Sequence, residues 1–114
     1  MSEAVHIGSV DDVEPGEAKV ISRDIANTHD DIALVRTEDG DYFAVDNTCS
    51  HALASLAEGW VEEQSIECPL HSASFCLKTG EALSLPATEP VGTHTLELRG
   101  DEIWLYPGSV KGEL

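Results

Sequence analysis

Short apolar runs separated by turn-forming residues mark the chain from one end to the other. AKVIS (18–22), DIALVRT (31–37), DYFAVD (41–46), SIECP (65–69), THTLELR (93–99) and EIWLYP (102–107) are each five to seven residues long. Their β-branched and aromatic content, with a period of two in several, predicts strands. Between them EPGE, EDGD, KTGE, LPATEP and RGDE concentrate Gly, Pro and acidic residues, which close turns. DIALVRTEDGDYFAVD predicts a hairpin turning at Asp39-Gly40, and THTLELRGDEIWLYP a second turning at Gly100-Asp101. Only ALASLAEGW has the character of a helical turn or two, with Gly59 to stop it. The pattern predicts an all-β fold of small antiparallel sheets. We find no internal repeat, low-complexity segment or linker.

Length agrees with that picture. At 114 residues the chain suits one domain, 1–114, with one modest core, which leaves no room for a second catalytic domain. No segment approaches the roughly eighteen consecutive apolar residues of a membrane helix. The start, MSEAVHIGSVDDVEPGE, is acidic and lacks the basic-then-apolar order of a signal peptide. A cytoplasmic protein without membrane association is the expectation.

Charge narrows the partners. Twenty-two acidic residues against six basic ones give a formal charge of -16, which repels nucleic acid and anionic membranes. Solubility, or a salty cytoplasm, accounts for the acidity, and so does steering toward a basic patch on a partner protein; both readings stand. Three cysteines are an odd count, which points to metal or redox chemistry rather than a disulfide framework.

Two of those cysteines each have a histidine just beyond. Cys49 with His51 and Cys68 with His71 form C-x-H and C-x-x-H pairs, with sixteen residues between His51 and Cys68. Both pairs fall where a predicted strand gives way to a loop, a usual place for binding chemistry. Pro69 breaks the ladder after Cys68 and leaves His71 in a loop. Two thiolates and two imidazoles suit zinc or iron–sulfur chemistry. Zinc modules usually open with two nearby cysteines, whereas here each thiolate is paired with a histidine and the thiolates lie far apart. In a two-iron cluster one iron can take both cysteines and the other both histidines, the ligation of a Rieske-type centre. His6, His29 and His94 are read as packed or solvated histidines without a metal role.

C-x-H, sixteen residues and C-x-x-H, within CSHALASLAEGWV and IECPLHSASFCLKTGEAL, resemble the Rieske family. The surrounding residues are similar to the small ferredoxins that serve bacterial aromatic ring-hydroxylating dioxygenases, and the likeness covers most of the chain. The resemblance implies the small antiparallel sheets of a Rieske domain, with two loops at one tip holding one [2Fe–2S] cluster. It implies Cys49 and Cys68 on the buried iron, His51 and His71 on the outer iron, and Leu85-Pro86-Ala87 in a third loop covering the cluster. It implies a one-electron carrier, not a catalyst, placed between a flavin- and NAD(P)H-linked ferredoxin reductase and a terminal oxygenase. The small subunit of a nitrite reductase, or another reductase accessory, resembles the same family and is the alternative. A zinc-stabilised interaction module is the reading from a different class.

Departures carry information. Ser72 stands where such families usually have Gly, and Cys76 where an acidic residue is common; Cys76 is expected as a buried small hydrophobe or as an oxidisable thiol. High-potential members carry an extra disulfide between the ligand loops, but Ala54 and Leu70 occupy those positions. They also place hydroxyls where this chain has Ala73 and Phe75. With imidazole in place of two thiolates the oxidised centre is neutral rather than a dianion. Its potential should therefore fall within about -150 to +300 mV, against about -400 mV for all-cysteine plant-type centres. Without the hydroxyls, the lower part of that range is expected, with a fall at alkaline pH as the ligand histidines lose protons.

Overall fold

A computed structural model describes residues 4–28, 30–48, 55–69, 73–83 and 90–106. Among the described residues, nine strands form two antiparallel sheets. The larger has the order β1-β9-β8-β4-β3-β2 and the smaller β5-β6-β7. The strands are β1 (Val5–Ser9), β2 (Glu17–Ile21), β3 (Ile32–Arg36), β4 (Tyr42–Asp46), β5 (Trp60–Glu62), β6 (Ser65–Glu67), β7 (Ser74–Cys76), β8 (Thr93–Arg99) and β9 (Glu102–Tyr106). All six predicted runs are strands. β1, β5 and β7 are additions: Gly8 interrupts the first, where the register with β9 shifts, and the other two are three residues long. None shows enough alternation to stand out.

β3 explains the layering. Its run IALVR is buried on both faces except at Arg36. Ala33 and Val35 face one core, shared with Val45, Leu56, Ile66, Cys68, Phe75 and Leu77 from beneath the small sheet. Ile32 and Leu34 face the other, enclosed with Ile7, Ile21, Ala44, Ile103 and Leu105 where the large sheet curls into a half-barrel. A strand covered on both sides loses its polar alternation, as its sequence does.

Turn chemistry sets the registers. The β8–β9 hairpin closes through Gly100 and Asp101 between the paired residues Arg99 and Glu102. Gly100 takes φ +63, and a glycine in the first central position suits the two-residue turns whose twist matches the strands. The Asp39-Gly40 hairpin forms as predicted, with Arg36 opposite Tyr42. Two helical pieces had no apolar period to announce them. α1 (Arg23–Ala26) is capped by Ser22 Oγ, which accepts the Asp24 N–H. A 3-10 turn at Val10–Asp12 is closed by a capping box between Ser9 and Asp12, so local hydrogen bonds made both. The expected turn in ALASLAEGW is a 3-10 turn at Leu56–Glu58 ended by Gly59. Its first three residues lie outside the described ones. No helix among the described residues is long and apolar enough to cross a membrane.

Candidate metal centre

Three chain segments lead from the core beneath the small sheet, two into the regions that carry the predicted ligands and one into the region of the expected covering loop. The first leaves β4 through Asn47 and Thr48 and returns at Ser55, with Thr48 bridged to Ser55. Asn47, 7 % exposed, holds this base together. Its side-chain N–H donates to Ser55 Oγ at 2.9 Å, and its Oδ1 accepts from Ser55 Oγ at 3.1 Å and from the Ala57 N–H at 3.0 Å. Its carbonyl accepts the Leu56 N–H at 2.8 Å. Asn, Ser and Thr bond nearby backbone in this way in loops, which is why they sit here and not within a strand.

The second segment leaves β6 at Cys68, which is fully buried. Its N–H donates to the Ala73 carbonyl at 2.6 Å, which closes the base across residues 69–72. Cys68 shares its core cluster with Leu56, Ala73 and Phe75. The third segment leaves β7's neighbour at Leu83, whose N–H donates to Ser74 at 2.7 Å, and returns at Val91, whose N–H donates to Gly80 at 2.9 Å. The first two bases touch. A Cβ on Gly59 would overlap the carbonyl oxygen of Glu67, the residue before Cys68, so glycine permits the close approach.

Of the predicted ligands, Cys68 is described, at the end of β6 and in an apolar setting. Cys49, His51 and His71 lie outside the described residues, as do Ser72, Ala54, Leu70, His29 and Leu85-Pro86-Ala87. Among the described residues no group of three or more His, Cys, Asp or Glu is placed to hold a metal. Ala73 and Phe75 are fully buried beside Cys68 and carry no side-chain donor.

The other predicted residues separate clearly. His6 packs against Trp104 with the rings tilted, centroids 5.2 Å apart. His94 is buried in β8, with Nε2 2.8 Å from Asp46 Oδ1; it is a packed histidine, as expected, with an acidic partner the sequence did not announce. Asp46 also donates its N–H to the Gly92 carbonyl at 2.8 Å. Cys76 is not the buried hydrophobe that was one reading of it. It is half-buried opposite Ser65, in the outward row of a sheet whose inward row is Val61, Ile66 and Phe75. Hydrogen bonds from the Thr79 side chain and from the Thr79 and Lys78 backbone hold its thiol below the ordinary 9.0, against burial and the Glu81 charge.

Tertiary structure also gathers charge. Glu38 and Asp39 of one hairpin turn, Glu62 at the end of β5 and Glu63 in the turn after it line a shallow cleft of about 370 Å³, although in sequence these pairs are more than twenty residues apart. Glu63 adopts φ +52 in the tight turn between β5 and β6, a conformation that costs a non-glycine residue about 1–2 kcal/mol.

The sequence profile of the Rieske [2Fe-2S] domain matches residues 3–103. The chain belongs to the Rieske [2Fe–2S] family. Its Rieske relatives include the Escherichia coli K12 3-phenylpropionate/cinnamic acid dioxygenase ferredoxin subunit. That protein is 45% identical over 97 residues, which is 84% of this chain and 86% of the relative. Among solved structures, the ferredoxin of carbazole 1,9a-dioxygenase from Nocardioides aromaticivorans IC177 superposes with a TM-score of 0.80 at 32% identity. The match covers 93% of this chain and 99% of that one. A chain from a complex of reduced oxygenase and oxidized ferredoxin in carbazole 1,9a-dioxygenase matches with a TM-score of 0.78, also at 32% identity. It covers 89% of this chain and 99% of the other. Rieske membership implies one [2Fe–2S] cluster per chain. The donor chemistry fits. The residues predicted from the sequence comprise two thiols and two imidazoles, and of these Cys68 lies in an apolar core, where a neutral centre costs less to bury than a charged one.

Proposed function

We propose that this chain is the ferredoxin component of an aromatic ring-hydroxylating dioxygenase system. It carries single electrons in the cytoplasm from a flavin- and NAD(P)H-linked reductase to the terminal oxygenase. In this reading residues 1–114 are one domain, and Cys49, His51, Cys68 and His71 hold the cluster. The observation that supports it most directly is Cys68, buried at the end of β6 on the same core as the base of the segment bearing Cys49 and His51. The relatives above 30% identity are named as dioxygenase ferredoxins, which favours an oxygenase over a nitrite reductase as the acceptor.

When bound, the cluster supplies a one-electron couple near the middle of the biological range. The chain's own residues supply the setting. Asn47 and Ser55 fasten the base of the first ligand segment. The Cys68–Ala73 hydrogen bond fastens the second, and Leu56, Ala73 and Phe75 keep water from Cys68. Ala73 and Phe75 have no hydroxyl to donate, so the reduced, more negative state receives no side-chain hydrogen bond from these two positions. This favours a potential in the lower part of the family's range. The acidic surface suits encounter with a basic partner face.

Reconstitution with iron and sulfide tests this reading. A red-brown protein is expected, with equal iron and sulfide, bleaching under dithionite and delivering electrons to an oxygenase. Cys68→Ser should lose the colour. A colourless chain carrying one zinc ion would end the proposal.

A further inference from the structure

The loop between α1 and β3 holds the base of the first ligand segment from outside. Asp30 Oδ2 accepts the Thr48 N–H at 3.0 Å, and its Oδ1 accepts the Thr48 hydroxyl at 2.9 Å. Both oxygens of one carboxylate thus grip one residue, and that residue immediately precedes Cys49. Asp30 is itself held, because its carbonyl accepts the hydroxyl of the fully buried Thr28 at 2.6 Å. The neighbouring residue repeats the contact. The Asp31 carbonyl accepts the Asn47 N–H at 2.8 Å, and the Asp31 carboxylate accepts the Arg23 N–H at 3.0 Å from the start of α1. Residues 47 and 48 are therefore held by Asp30 and Asp31, eighteen residues away in sequence for the Asp30–Thr48 pair.

We infer that Asp30 is a positioning residue for Cys49, and that its carboxylate is a fixed negative charge that lowers the reduction potential of the centre. The inference rests on the four-ligand reading given above. Two separable effects follow. The paired hydrogen bonds restrict the backbone next to Cys49, and charge-assisted bonds of this kind are about twice as strong as neutral ones. The charge opposes addition of an electron nearby, and a carboxylate at half-buried Asp30 is screened less than one on the open surface.

Three variants of the holoprotein separate the effects. Asp30→Asn removes the charge and one acceptor, Thr48→Val removes one hydrogen bond and keeps the charge, and Asp101→Asn removes a charge at the β8–β9 turn, at the far end of β8 from His94. Asp30→Asn should shift the midpoint potential positive by more than Asp101→Asn, and raising salt should diminish the Asp101→Asn shift by the larger factor. Thr48→Val should leave the potential near wild type but lose its visible absorbance to a chelator several-fold faster. A positive shift in Asp30→Asn larger than that in Asp101→Asn supports the inference. So does faster cluster loss in Thr48→Val, which needs no folded Asp30 variant. A loaded Asp30→Asn protein with the wild-type potential, or wild-type chelator kinetics in Thr48→Val, overturns it while leaving the ligand reading intact. A wild-type chain that takes up no cluster removes both.

Discussion

Replacing His94 with Leu should destabilise the fold by about 2 kcal/mol, and the number can be built from its surroundings. The His94 side chain is 1 % exposed and that of Asp46 is 28 % exposed, with 2.8 Å between Nε2 and Oδ1. Hydrogen bonds to a charged group contribute about 1.5–3 kcal/mol, and losing one partner of a fully buried pair costs about 3–5 kcal/mol. Asp46 keeps access to water, so its stranded carboxylate is partly resolvated and the lower range applies. Leu fills much of the imidazole's volume, which limits any cavity contribution. For 114 residues the unfolding entropy near 60 °C is about 0.24 kcal/mol/K, so 2 kcal/mol lowers Tm by about 8 °C. Calorimetry and urea titration of wild type, His94→Leu, Asp46→Asn and the double variant would give the coupling energy, expected at about 1–2 kcal/mol. Because the pair fastens the end of β4 to β8, three residues before Cys49, the variant's cluster should also bleach sooner on warming. A Tm within about 1 °C of wild type, or additive single effects, would refute the reasoning.

Phe75 is fully buried against Ile66, Cys68 and Leu77, so Phe75→Ala should cost about 3–5 kcal/mol in a urea titration. A loss under about 1 kcal/mol would mean that the core beneath the small sheet collapses freely around the gap. Cys76 should alkylate with iodoacetamide through a midpoint below 9.0 in the loaded protein, because Thr79 and Lys78 favour its thiolate. A thiol with a lowered folded value contributes stability above its unfolded value, and that contribution is lost as pH falls through the folded one. Thr79→Val should move the labelling midpoint upward. An unchanged midpoint would show that the Thr79 hydroxyl does not set it.

THTLELR was legible from its alternation. DYFAVD and IALVR, which contribute to both cores, announce themselves as apolar runs bounded by turns or acidic residues. β5 and β7 were not legible, since three residues cannot display a period and their pairing with β6 comes from across the chain. α1 owes its existence to Ser22 and to docking against β1, not to an apolar stripe. At the site, Cys68 stood out as a ligand candidate from its spacing to His71, and the structure places it fully buried just after β6. The collar of Asp30, Asn47 and Ser55 was not, because polar loop residues look alike until the partner segment is known.

Six of the strands, the two hairpin turns and the Cys49/His51 and Cys68/His71 spacings follow from the sequence alone, because each depends on residues close together in the chain. The contacts of Asp30 with Thr48 and Asp46 with His94, the approach of Gly59 to Glu67, and the gathering of Glu38, Asp39, Glu62 and Glu63 were decided only by the tertiary structure. Each joins positions that local spacing leaves independent, and only the shared burial of β3, β4 and the small sheet brings them within hydrogen-bonding or Coulomb range.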